Sequence, residues 1–203
     1  LDWMVARGCN VAHVIICNER DGEFAGYCPY GRTFTGIPDE GFINIMRGRF
    51  RTIQARMATV PWLFTDDGPT YNRQSAGSYV KLFSDCKDYG FFDGVPMVVL
   101  GVELDEYFSN GQVSRLTSEL RRVTARPVGI HMTSDRTTYS SHGDVFFWQT
   151  DPGKTANQIK SLVIKARSAV GGKPLVAFEM ERQENRSLCD AALSAGAMGV
   201  GNW

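Results

Sequence analysis

An excess of charge of either sign is missing from this chain: Lys+Arg and Asp+Glu both count 22 among 203 residues. Nucleic-acid-binding domains normally carry a basic stripe, and electrostatic membrane binders a polybasic segment, so neither partner is expected. No apolar run approaches the ~20 residues of a membrane span. Cysteine is scarce: Cys9, Cys17, Cys28, Cys86 and Cys189 form no CxxC pair and no Cys/His cluster at zinc spacing. Their odd number leaves at least one unpaired within a single chain, and the redox setting stays undecided. The phosphate-binding glycine motifs are absent too. The first strand pattern is followed by NERDGEFAGY, which holds no GxGxxG, and no GxxxxGK[ST] occurs. No GxSxG elbow marks a serine nucleophile. Asp66-Asp67-Gly68 reads as a turn and not as a cation site. The expected set of metals and cofactors is therefore empty. The chain begins at Leu1 without a signal peptide, and the expectation is a processed chain or part of a longer protein.

What is present is a regular alternation. Short, nearly continuous apolar runs read as strands over 11–17 (VAHVIIC), 58–64 (ATVPWLF), 97–103 (MVVLGVE), 127–132 (PVGIHM), 144–150 (DVFFWQT), 174–180 (PLVAFEM) and 198–203 (MGVGNW). Pro61 counts against the second run, because proline cannot donate to a ladder. Helical patterns cover 1–9, 41–56, 74–89, 111–125, 154–170 and 184–195. In the second of these Phe42, Ile45, Met46, Phe50 and Ile53 share a face, with arginines between them. Strands without clean alternation are buried on both faces, as in parallel sheets covered by helices.

Seven parallel strands suit a doubly wound sheet or a (β/α)8 barrel. The missing phosphate turn disfavours the first. A chain that starts in a helix and ends in a strand lacks a first strand and a last helix, which are neighbours where a barrel closes. The expectation is an α/β fold, a (β/α)8 TIM barrel in one domain over 1–203, with its first strand and last helix outside this chain.

In such a barrel chemistry sits at the C-terminal strand ends. Those ends read Asn18-Glu19-Arg20, Thr65-Asp66-Asp67, Glu103-Leu104-Asp105-Glu106-Tyr107, His131, Trp148-Gln149-Thr150-Asp151, Glu179-Met180-Glu181-Arg182 and Asn202-Trp203. The opposite ends show no such pile-up of acids. Two carboxylates from well-separated strands suit glycoside hydrolysis, one as general acid/base and one as nucleophile.

The order of elements and three short motifs resemble the clan A glycoside hydrolases, barrel enzymes with catalytic glutamates after strands four and seven. MVVLGVELDEY (97–107) is similar to their fourth strand, which ends in Asn-Glu. Without gaps, Glu106 falls on the acid/base and Asp105 on the Asn that bonds the sugar 2-hydroxyl; with a gap, Glu103 takes the acid/base position. KPLVAFEM (173–180) is similar to the seventh strand and puts Glu179 on the nucleophile. AMGVGNW (197–203) resembles the eighth, whose terminal Trp, here Trp203, forms a sugar platform. The resemblance implies a retaining glycosidase acting on a poly- or oligosaccharide, and so an extracellular or cell-surface setting.

Around that pair the expected substrate-binding residues are Asp105, Glu19, Arg20, Asp66, Tyr107, His131, Trp148, Gln149 and Trp203. Arg20 or Arg182 would hold Glu179 ionised. His131 would bond a sugar hydroxyl or tune Glu106. The aromatics of the Asn18–Glu40 segment, Phe24, Tyr27, Tyr30 and Phe34, offer stacking surfaces. His13 and Trp62 read as core. The competing reading is a carbohydrate-binding or structural barrel without turnover, favoured by Asp105: an ionised Asp accepts but cannot donate, and it sets a like charge beside the acid/base. A barrel acting on phosphorylated metabolites would need a Gly-rich loop that MERQENRS does not supply.

Overall fold

A computed structural model describes residues 1–17, 39–65, 76–133, 141–149, 153–179 and 186–201. Along the chain run α1 (Asp2–Ala6), β1 (Val11–Cys17), α2 (Glu40–Gln54), β2 (Ala58–Phe64), α3 (Ala76–Asp88), β3 (Val98–Val99) and α4 (Leu104–Tyr107). These are followed by α5 (Asn110–Val123), β4 (Val128–Met132), β5 (Val145–Gln149), α6 (Ala156–Ala169), β6 (Leu175–Phe178), α7 (Arg186–Ser194) and β7 (Gly199–Gly201). The sheet order is β1-β2-β3-β4-β5-β6-β7. The ladders β1–β2, β2–β3, β4–β5, β5–β6 and β6–β7 are all parallel. A doubly wound sheet reverses its order at a switch point. Here the order never reverses, which is the single winding of a (β/α)8 barrel, with seven of its strands among the described residues.

The chain groups into two compact units, Leu1–Val102 with Ser114–Val128, and Glu103–Val113 with Gly129–Trp203. In the first, β2 is buried from Thr59 to Phe64 and Trp62, Leu63 and Phe64 are wholly enclosed. Pro61 sits inside the strand, in register with Val14 of β1, so the proline is accommodated and the strand pattern holds. Asp39 caps α2 by accepting from the Phe42 amide. That helix buries Ile43 and Phe50, one heptad apart, whereas Ile45 is exposed. The helix face is therefore rotated from the expected one. Leu82, Phe83 and Cys86 supply the buried stripe of α3, and Phe50 meets Phe91 edge to face. The indole Nε1 of Trp62 donates to His13 Nδ1 at 2.8 Å; Trp62 is enclosed in the core as expected, whereas His13 is only half-buried.

In the second unit β4 and β6 are buried at every position. Thr155 and Gln158 form a reciprocal capping box at the start of α6. The helix turns Ile159, Val163 and Ala166 inward. Leu188 and Ala192 do the same for α7. Lys173 Nζ donates to the Gly143 carbonyl, tying the residues before β6 to those before β5.

Of the strand expected over 97–103 only Val98–Val99 is regular, although the Val102 amide still donates to the Phe64 carbonyl of β2 at 3.1 Å. Glu103 turns the backbone away beyond that bond. It stands in the left-handed region, φ 45° and ψ 42°, and starts the one-turn helix α4, which the apolar pattern did not reveal.

Candidate active site

The second unit brings together Glu103, Asp105, His131, Thr133, Gln149, Phe178 and Glu179. Parallel register sets the geometry. His131 pairs with Phe147, and Gln149 pairs with Phe178. Residues two apart on a strand share a face, so His131, Phe147, Gln149 and Phe178 project from one side of the sheet. His131 meets Phe178 edge to face at 5.8 Å between ring centres.

The backbone turns out of the strand pattern at two residues. Glu103 (φ 45°) and Glu179 (φ 53°) are the two non-glycine residues with positive φ among the described residues. Such a conformation costs an L-residue on the order of 1–3 kcal/mol and persists only where its surroundings impose it. The impositions are visible. The Glu103 amide donates to His131 Nδ1 at 2.9 Å. The Glu179 amide donates to the Gly201 carbonyl at 3.0 Å, continuing the β6–β7 ladder one residue beyond the strand.

His131 is completely buried. Because Nδ1 accepts from the Glu103 amide, that nitrogen carries no proton, and the neutral ring holds its hydrogen on Nε2. Nε2 lies 3.8 Å from Glu179 Oε1, and the Glu179 side chain keeps 19% exposure. One imidazole thus touches the backbone of one strained glutamate and faces the carboxylate of the other. This corrects the expectation that His131 bonds a sugar hydroxyl, since a fully enclosed ring presents nothing to a sugar.

Asp105 is buried as well. Its Oδ1 accepts from the Thr133 amide at 3.0 Å and its Oδ2 from the Thr133 hydroxyl at 2.8 Å. The carboxylate that stands in place of an Asn is engaged by the chain itself, and Thr133, which the strand pattern left unnoticed, is its partner. Its only sequence signal was position: Thr133 follows β4 directly. Glu106 is exposed on α4, its amide bonded to the Glu103 carbonyl.

Trp148 is 1% exposed, so its ring packs in the core and offers no stacking face, against expectation. Gln149 is half-buried, and its Oε1 is enclosed without a hydrogen-bond donor among the described residues. Glu19, Arg20, Asp66, Arg182, Trp203, the Tyr107 side chain and most of the aromatic 18–40 segment lie outside the described residues. Among the described residues no group of His, Cys, Asp and Glu could hold a metal ion, and no helix is long and apolar enough to cross a membrane.

No family model matches the sequence, and no curated protein does. Solved structures do match. A glycoside hydrolase of family 5 from Bacteroides vulgatus ATCC 8482 superposes with a TM-score of 0.73 at 12% identity, over 99% of this chain and 53% of that one. The fold is that of the clan A glycoside hydrolases. A GH113 β-1,4-mannanase matches at 0.65 and 11% identity, over 100% of this chain and 80% of that one. A family 1 β-glucosidase from Thermotoga maritima matches at 0.62 and 8% identity, over 100% and 75%. The chain spans about half the length of the family 5 structure and of a further glycoside hydrolase, 55% of which is covered. At these identities the likeness to clan A is one of fold, and function has to be argued from the site.

Proposed function

We propose that this chain carries the catalytic half-reactions of a retaining glycosidase, with Glu179 as nucleophile and Glu103 as acid/base. The observation that carries this reading is the strain shared by the two glutamates. Each follows a parallel strand, each stands in a conformation disfavoured for its residue type, and His131 contacts both. Strain of this kind collects where a side chain must be aimed. Between the two alternatives for the acid/base, the fixed backbone of Glu103 favours it over the exposed Glu106.

The chemistry runs in two steps. The Glu179 carboxylate attacks the anomeric carbon and forms an ester to it. The bond to the leaving oxygen breaks, and that oxygen takes the proton of Glu103. Water then attacks the anomeric carbon and gives a proton to Glu103, and the ester to Glu179 breaks, returning its carboxylate. Gln149 Oε1 would accept from a sugar hydroxyl. The fold neighbours include a β-1,4-mannanase and a β-glucosidase, so β-glucosides and β-mannosides are the substrate class to try first.

The test uses nitrophenyl β-glucoside and β-mannoside with the full chain and its variants. Glu179→Gln is expected to lower kcat at least 1,000-fold, about 4 kcal/mol of transition-state stabilisation. Glu106→Gln should leave kcat within a few-fold. Azide should rescue Glu179→Ala with an inverted glycosyl azide and Glu103→Ala with a retained one. Sugar binding by the wild type without turnover would overturn the reading in favour of a binding barrel.

A further inference from the structure

We infer that His131 is a positioning residue that locks the two glutamates into one unit: it holds the turn at Glu103 through Nδ1 and aims the Glu179 carboxylate through Nε2–H. The inference rests on the functional reading above for its consequence, and on four observations of the ring itself. The ring is fully enclosed, so it acts only through its protein neighbours. Nδ1 accepts from the Glu103 amide at 2.9 Å, which fixes the tautomer. Nε2 faces Glu179 Oε1 at 3.8 Å. Phe178 stands edge-on to the ring and fixes its plane.

The tautomer gives the arrangement its direction. A ring protonated at both nitrogens could not accept from the Glu103 amide. A ring carrying its hydrogen on Nδ1 would turn a lone pair toward a carboxylate. Only the Nε2–H form both accepts from the Glu103 amide and turns a positive edge toward the Glu179 carboxylate, which at 3.8 Å it meets by charge–dipole attraction and not by a hydrogen bond, so a change at Glu179 is felt at the turn that carries Glu103. The acids of this cluster among the described residues are Glu103, Glu179 and Asp105, the last engaged by Thr133.

Two substitutions separate the two arms. His131→Asn keeps an acceptor where Nδ1 lies but is too short to reach Glu179. His131→Gln reaches the place of Nε2 but offers no acceptor at Nδ1. With nitrophenyl β-glycosides, His131→Asn is expected to lower kcat 10- to 100-fold with KM within two-fold, and His131→Gln to recover part of that loss. Equal kcat in wild type and both variants would overturn the proposal.

A second measurement needs no turnover. In side-chain nitrogen NMR of the wild type, His131 Nδ1 should give the shift of an unprotonated ring nitrogen and Nε2 that of a protonated one. In Glu179→Gln the Nε2 shift should move. The opposite tautomer, or a ring indifferent to Glu179→Gln, would overturn the inference whether or not any glycoside is hydrolysed. A wild type that cleaves nothing but shows the expected shifts sinks the glycosidase reading and leaves the coupling intact.

Discussion

Gly201 shows how closely single atoms set this site. A Cβ built there would lie 2.5 Å from two carbons of the Phe178 ring, and the Phe178 ring in turn stands against His131. The neighbour that must yield is a fully buried aromatic, not the end of a flexible chain. Gly201→Ala is therefore expected to cost about 1–3 kcal/mol of stability and to shift the His131 ring resonances. Urea denaturation and NMR would check it, and an unchanged midpoint with unchanged shifts would show that the ring has room. Asp105 makes the complementary point. Read as a letter in a motif, it favoured a barrel without turnover; read with Thr133, it is a buried acceptor with two donors of its own.

Among the elements, α6 and α4 bracket what a pattern can reveal. Thr155 and Gln158 close a capping box at the N-terminus of α6, and its buried stripe falls within the helical pattern over 154–170. Thr155→Ala removes one half of the box and should lower stability by about 1 kcal/mol. A fall in the urea midpoint at constant slope would show this, whereas no change would mean the helix end is held by its packing alone. By contrast α4 is one turn long and has no capping side chain. It is held from outside, by buried Leu104, by buried Phe108, which follows it, and by the Asp105–Thr133 clamp. A period cannot be detected in four residues. The rotated face of α2 has a related cause: Ile43 and Ile45 are equally apolar, and only packing decides that Ile43 is enclosed and Ile45 is not.

For the molecule as a whole, the described titrating group with the clearest consequence is His13. Burial lowers its pKa from 6.5 to about 4, and Trp62 Nε1 donates to its Nδ1, a bond that needs the neutral ring. The unfolded chain binds this proton first as pH falls. Stability from this residue is complete above about pH 6.5, is lost progressively toward pH 4 and levels off below, by about 3 kcal/mol at most. Urea midpoints of the wild type should fall between those pH values more steeply than those of His13→Asn, which keeps an acceptor for the indole but does not titrate. Parallel profiles would remove His13 from the acid sensitivity of the fold. The singly wound order of the sheet belongs to this scale as well. It makes every strand end a neighbour of the next in sequence, so the acids that follow β3 and β6 belong to a series that could be read along the chain.

Periodicity and composition by themselves determined the alternation of strands and helices, the two-sided burial of β2, β4 and β6, though not of β1 and β7, and the lack of a Gly-rich phosphate motif in the sequence. Each of these depends on local spacing or on bulk polarity. They also marked Glu103 and Glu179 as acids at strand ends. Only the tertiary structure decided that both adopt left-handed backbone, that His131 lies enclosed beside both, that Trp148 is enclosed, and that Thr133 donates to Asp105. The reason is physical: those contacts join residues 22 to 48 apart in the chain, and side-chain direction at a strand end is set by the neighbouring strand and not by the residue's own sequence.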